Sequence, residues 1–244
     1  MDEAERQARI DLAAAFRLTA RLDLHEGVAN HFSLALDADG KSFLMNPNGR
    51  HFSTLRASQL LKLKADDPSC LEGPEAPDIS AWSIHGTIHR SRPGARCVLH
   101  THMRYATAIS ALAGGRLECC HQNAARFWDR VAYDDDFNGL AVDDDEGGRI
   151  ARRLGNNSVL FMAGHGVTAI GDSVAQTFDD LYYLEKACET QVLAQQTGQP
   201  LLRIPDDVAE LTSRQWRQDF PDLAQRHFTE LKSILDAEEP EYAE

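Results

Sequence analysis

Two histidines stand one residue apart in the segment Val98-Leu-His-Thr-His102, and a third, His165, sits between Gly164 and Gly166. If residues 97–101 form a strand, side chains two apart share a face, so the imidazoles of His100 and His102 can meet at one point. The glycines around His165 let the backbone fold tightly enough to aim a third ring at the same place. Three neutral imidazoles with an open fourth position describe a catalytic divalent-metal site. The expected ion is zinc, with manganese, iron or cobalt as alternatives, whereas a closed structural site usually takes four ligands and often cysteine. Read from the residues alone, the same pair also fits ordinary hydrogen-bonded histidines of an interior. Of the other seven histidines, His25, His51, His89 and His227 read as surface or loop residues. His31 and His85 either line a cleft or sit satisfied inside, and His121 is open to both readings. Other chemistries find less support: there is no GxSxG elbow, and the adjacent Cys119 and Cys120 lack an assignable partner.

The elements that must hold these residues alternate along the chain. Ile10, Ala13, Phe16, Leu18 and Ala20 recur at helical spacing within residues 4–21. Asn30–Leu36 alternates as a half-buried strand and pairs through the Asp-Ala-Asp-Gly-Lys turn with a second strand at Ser42–Met45. Arg56–Leu63 reads as a short helix, Ile79–His89 as a longer one ended by Arg-Pro-Gly, Cys97–Thr101 as a buried strand, and Tyr105–Leu112 as a helix. A strand near Val131, a helix over Glu146–Leu154, strands at Ser158–Met162 and Val167–Ile170, and a long helix from Val174 to about Thr197 follow. Beyond Pro200 the expectation is one short helix, Ala224–Leu235, and a mobile acidic tail. No GxGxxG or GxxxxGK[ST] motif occurs, so nucleotide-binding α/β folds are not supported. The pattern is that of an α/β layered sandwich.

Composition narrows the partners. The 244 residues carry 25 Lys and Arg against 38 Asp and Glu, a formal charge of -13 that repels nucleic acid and anionic membrane surfaces. Apolar stretches are broken far short of the roughly 20 residues a bilayer demands. The opening Met-Asp-Glu-Ala-Glu-Arg lacks an apolar signal region, and five cysteines with no CxxC pair read as reduced thiols, so the expected location is the cytoplasm.

The ordered blocks Asn30-His-Phe-Ser33, Asn46-Pro-Asn-Gly49, Ser80-Ala-Trp-Ser-Ile-His85, the segment 98–108, Gly164-His-Gly-Val167 and the helix 179–194 together resemble the class II aldolase/adducin family over residues 8–197. The resemblance implies a three-layer α/β/α sandwich around a mainly antiparallel sheet, here over 1–200, with 201–244 as an extension bearing a short helix and the acidic tail. It further implies a homotetramer with sites at subunit boundaries, and a divalent ion held by His100, His102 and His165 that stabilises an enediolate as a Lewis acid. Asn30, Asn48, Gly49 and Ser80 fall where the family contacts a substrate phosphate, although Ile79 replaces one hydroxyl. A family glutamate that shuttles the proton is replaced by Ala81, removing help worth roughly 10² to 10⁴ in rate, so ordinary sugar-phosphate cleavage is not expected. The expected activity is that of a carbon–carbon lyase, aldolase-like or a decarboxylase, acting on a small hydroxy- or keto-carbonyl or carboxylate compound through a metal-stabilised enolate, with His31, Glu26 or water as proton carriers. The alternative is a non-catalytic oligomerisation or cytoskeletal binding module of the adducin-head kind, which the Ala81 block and the long helix also resemble.

Overall fold

The computed structural model describes residues 1–73, 75–92, 94–140 and 144–244, with the side chains of 144 and 145 set aside. Helix α1 (Glu3–Arg21) begins under an Asp2 cap whose carboxylate accepts the Glu5 N–H at 2.8 Å. A hairpin of β1 (His31–Ala35) and β2 (Ser42–Met45) follows, then β3 (Leu61–Lys64), α2 (Ile79–Ser91), β4 (Cys97–Thr101), α3 (Arg104–Ser110), α4 (Gln122–Ala125) and β5 (Val131–Asp134). The second half runs through α5 (Asp144–Leu154), β6 (Val159–Met162), β7 (Gly166–Gly171), α6 (Val174–Gln195), α7 (Asp206–Gln218) and α8 (Leu223–Glu238).

The seven strands form one sheet in the order β3-β2-β1-β4-β7-β6-β5, antiparallel except for the β5–β6 pair. Alternation along the central strands separates two cores. Phe32 and Leu99 join Phe16, Phe178 and Leu184 beneath α1, α3, α6 and α8. Val98 and Ile170 join Ile84, Ile88, Ile150 and Leu160 beneath α2 and α5. The result is the expected α/β/α sandwich. In its centre the register sets His31 opposite His100 across β1–β4, and His100 opposite Thr168 across β4–β7.

Three expectations change. Arg56–Leu63 is a single 3-10 turn at Ala57–Gln59 followed by β3, in which exposed Lys62 and Lys64 alternate with Leu61 and buried Leu63; that is the period of an edge strand carrying charge on its open face. A polar helix, α7, occupies 206–218. The acidic C-terminus is docked: Tyr242 is fully buried with its hydroxyl donating to Asp236 at 2.7 Å, Arg17 reaches Glu239 and Glu241, and the Ser58 N–H donates to the Glu244 carbonyl. All five cysteines are free thiols, and no helix among the described residues is long and apolar enough to cross a membrane.

Candidate metal centre

His100 leaves the end of β4, His102 follows just beyond it, and His165 stands at the turn between β6 and β7. The turn needs its glycines. Gly164 takes φ +63, and a Cβ on Gly166 would lie 2.6 Å from the Thr101 carbonyl oxygen and 2.8 Å from the His102 ring. With hydrogen in that place, the hairpin closes against β4. One nitrogen from each of the three rings then lies within 4.8 Å of the others, and the His165 ring centroid is 4.8 Å from both partners. This is the convergence that the strand alternation and the glycines predict.

The surrounding hydrogen bonds decide what these nitrogens can do. His100 Nδ1 faces the Val167 carbonyl at 3.0 Å, which only accepts, so that nitrogen carries the hydrogen and Nε2 is bare. His102 Nδ1 faces the Glu26 carboxylate at 2.8 Å, so that nitrogen also carries a hydrogen, and in the neutral ring Nε2 holds the lone pair. The two Nε2 atoms stand 3.1 Å apart, close enough to share one hydrogen, or one ion when both rings are neutral. In the neutral pair the two lone pairs face each other and favour a cation between them, and nitrogens bonded at 2.0–2.1 Å to a tetrahedral ion sit roughly 3.3 Å apart. The donor set therefore fits a divalent metal ion. Burial, reinforced by the neighbouring imidazoles, keeps His100 neutral far below its ordinary range, and burial with His102 nearby lowers His165 to about 4, so both offer lone pairs at neutral pH. Anchoring the far ring nitrogen on a carbonyl or carboxylate is the usual support for a ligating histidine.

Beside the rings lies a cleft of about 50 Å³ lined by Asn30, His31, Asn46, Asn48, Asp78 and Ala81, among others. His31 stacks on His100 with ring centroids 4.6 Å apart. Asn30 accepts the Glu26 N–H through Oδ1 at 2.7 Å, while its Nδ2, buried, has no hydrogen-bond partner among the described residues. Of the four expected substrate contacts, Asn30 and Asn48 line this cleft. Gly49 lies exposed in its turn at φ +70, and the Ser80 hydroxyl donates to Asp78. Asp78 caps α2, accepting the Ser80 and Ala81 N–H groups at 2.9 and 3.1 Å. Burial acts to raise its pKa, but those hydrogen bonds and nearby His31 outweigh it, so Asp78 stays below the ordinary carboxylate range. Of the expected proton carriers, His31 reaches the cleft and Glu26 is committed to His102.

The sequence reading missed a set of polar groups behind the centre. His89, expected on the surface, is 4% exposed, because α2 turns it inward with His85, one helical turn earlier, onto Ser33 of β1. The His-x-x-x-His spacing on α2 and the His-x-Ser spacing on β1 are the signals that place these groups on facing sides. His227 is half-buried on the Asp179 carboxylate, with Nδ1 at 2.8 Å.

Comparison with known proteins agrees with this architecture. The family described as Class II Aldolase and Adducin N-terminal domain matches residues 10–192. The decarboxylase NovR of Streptomyces niveus is 33% identical over 204 residues, covering 83% of this chain and 75% of that protein. Alpha-adducin of Rattus norvegicus is 31% identical over 194 residues, which is 78% of this chain but 26% of the longer adducin. The crystal structure of an aldolase II superfamily protein from Pseudomonas syringae superposes with a TM-score of 0.88 at 31% identity, covering 100% of this chain and 98% of that one. With its fold matched end to end and its sequence matched across the sheet and its covering helices, the chain belongs to the family of class II aldolases and adducin N-terminal domains.

Proposed function

We propose that the protein is a divalent-metal-dependent carbon–carbon lyase acting on a small, unphosphorylated hydroxy- or keto-carboxylate, with decarboxylation favoured over sugar-phosphate cleavage. The observation that carries this reading is the convergence of one nitrogen each from His100, His102 and His165 within 4.8 Å, with the Nε2 atoms of His100 and His102 3.1 Å apart beside the cleft. When bound there, a divalent ion, zinc first and manganese, iron or cobalt next, supplies Lewis-acid stabilisation of negative charge developing on a substrate oxygen.

The chain's own residues account for the preference. His100, His102 and His165 hold the ion, with Val167 and Glu26 fixing two of the rings. The Asn30 amide nitrogen, without a hydrogen-bond partner among the described residues, is a donor available to a substrate carboxylate or carbonyl. A phosphate finds a poor reception, because the Asp78 carboxylate is negative and already takes the N–H groups that open α2. Ala81 supplies no carboxylate to shuttle a proton, which disfavours a reaction that begins by removing one. Decarboxylation avoids that step: the bond to the carboxylate breaks, CO₂ leaves, and the electron pair left on carbon takes a proton from water. The similarity to a Streptomyces decarboxylase supports the same choice. A cytoplasmic homotetramer is part of the proposal. Phe137, 60% exposed, lines the cleft beside His165, and Leu140, 80% exposed, follows three residues later; a neighbouring subunit would cover this apolar pair.

Elemental analysis of gently purified protein tests the reading, with about one divalent ion per chain expected and its loss in His100→Ala. A screen of 2-keto acids, aromatic hydroxy acids and sugar phosphates should then show metal-dependent turnover of the carboxylates. Metal-free protein of unchanged thermal stability rejects the lyase. Partner binding that survives chelation, with no turnover at all, selects the non-catalytic adducin-head reading instead.

A further inference from the structure

Four side chains that the metal centre does not use are joined in one buried chain behind it. His89 Nδ1 lies 2.7 Å from the Ala95 carbonyl, and His89 Nε2 lies 2.7 Å from Ser33 Oγ. Ser33 Oγ lies 2.6 Å from His85 Nδ1, and His85 Nε2 lies 2.8 Å from His31 Nδ1. The four residues are 7% exposed or less. His31 and Ser33 share a face of β1, and His85 and His89 share a face of α2, so the two elements zip their polar groups together across the layer.

The anchor at one end fixes every donor along the chain. A carbonyl only accepts, so His89 Nδ1 carries the hydrogen; burial keeps that ring neutral, which leaves Nε2 bare. A bare Nε2 must receive the Ser33 hydroxyl hydrogen. Ser33 has no second hydrogen, so its oxygen accepts from His85 Nδ1. His85, also neutral by burial, is then bare at Nε2 and accepts from His31 Nδ1. Among the described residues His31 Nε2 has no hydrogen-bond partner, and His31 is the member of the chain that lines the cleft.

We propose that His85, Ser33 and His89 are positioning residues: anchored on the Ala95 carbonyl, they lock His31 as its Nδ1–H tautomer, so that Nε2 is presented as an acceptor for a hydroxyl group of the substrate. The second half rests on the lyase reading, since it needs a substrate beside the metal centre; the tautomer lock does not. The substrate class this adds is a hydroxy acid whose hydroxyl donates to His31. A cleft built for a carbonyl alone would need a donor there.

Ring-nitrogen NMR of the full-length ¹⁵N-labelled protein, with and without added zinc, reads the lock directly. His31, His85 and His89 are each expected to show a pyrrole-like Nδ1 and a pyridine-like Nε2. In Ser33→Ala, His89 keeps this pattern on Ala95 while His85 and His31 shift toward mixed tautomers. A role in packing alone leaves all three patterns unchanged, which overturns the proposal, as does a wild-type His31 protonated at Nε2 with a bare Nδ1. Should Ser33→Ala fail to fold, neutron diffraction from perdeuterated wild-type crystals locates the same hydrogens, and a deuteron on His85 Nε2 likewise overturns it. Protein that binds no zinc yet shows the expected tautomers sinks the lyase reading and upholds the lock.

Discussion

Glu26 touches the candidate metal centre through one hydrogen bond, and its side chain is 70% exposed, so little of the fold depends on it. In the proposed site its work is to hold the hydrogen on His102 Nδ1, so that Nε2 is the nitrogen turned to the ion. Removing such a partner typically weakens metal affinity 10- to 100-fold. Glu26→Ala is therefore expected to lose roughly that factor in a zinc competition titration. Glu26→Gln, which still offers an accepting oxygen, is expected to lose less, and both should melt with the parent when stripped of metal. Equal affinity for all three proteins would show that the contact does not orient the ligand. The His100-x-His102 pair was readable from the sequence because a strand's period of two is a local rule. Glu26 was named for proton transfer rather than for its contact with His102, since the two lie 76 positions apart and no local period connects them.

At the scale of elements, the β6–β7 hairpin and β4 must approach until Gly166 meets Thr101 and His102. Gly166→Ala puts a carbon 2.6 Å from a backbone oxygen that cannot move without unpairing β4 from β7. The hairpin carrying His165 is then pushed off the strand carrying the other two ligands. The expected cost is about 1–3 kcal/mol of stability together with loss of tight zinc binding. Gly164→Ala, strained only by φ +63 in open space, should keep the metal. Calorimetric melting and a zinc titration on both variants check this, and a Gly166→Ala protein that binds zinc like its parent refutes the account. The same contrast explains which elements could be read in advance. Strands β1, β2, β4, β6 and β7 alternate clearly or run apolar between turns. Helix α7 buries only Ala209 and Ser213, so it shows no apolar stripe, and β3 is too short for its period of two to outweigh a helix reading. His89 looks solvent-bound beside Arg90 because the polar partner that keeps it inside, Ser33, belongs to another layer.

For the whole molecule, acid brings two opposing effects. Protonation relieves the self-repulsion of a net charge of -13, which favours the compact state. Against this, burial holds His89 at about 4 and His31 at about 3, and lowers His85 and His100 well below their ordinary values, while the same rings in an unfolded chain titrate near 6.5. Between those values the unfolded state binds protons that the native state refuses. The contribution is complete above about pH 6.5 and is lost as the pH falls toward the native values. For His89 alone the loss approaches about 3 kcal/mol by pH 4. Surface repulsion is screened within about 8 Å at physiological salt, whereas for the buried imidazoles burial outweighs the favourable charges of Asp37 near His89 and Asp78 near His31, so the histidines should win. Metal-stripped protein is thus expected to melt progressively lower from about pH 6.5 down to about pH 5, before most carboxylates titrate, and His89→Gln should show a shallower slope over that window whatever its starting stability. A melting temperature that holds or rises on acidification would mean that relief of surface charge dominates, and that these imidazoles are not held neutral by the interior.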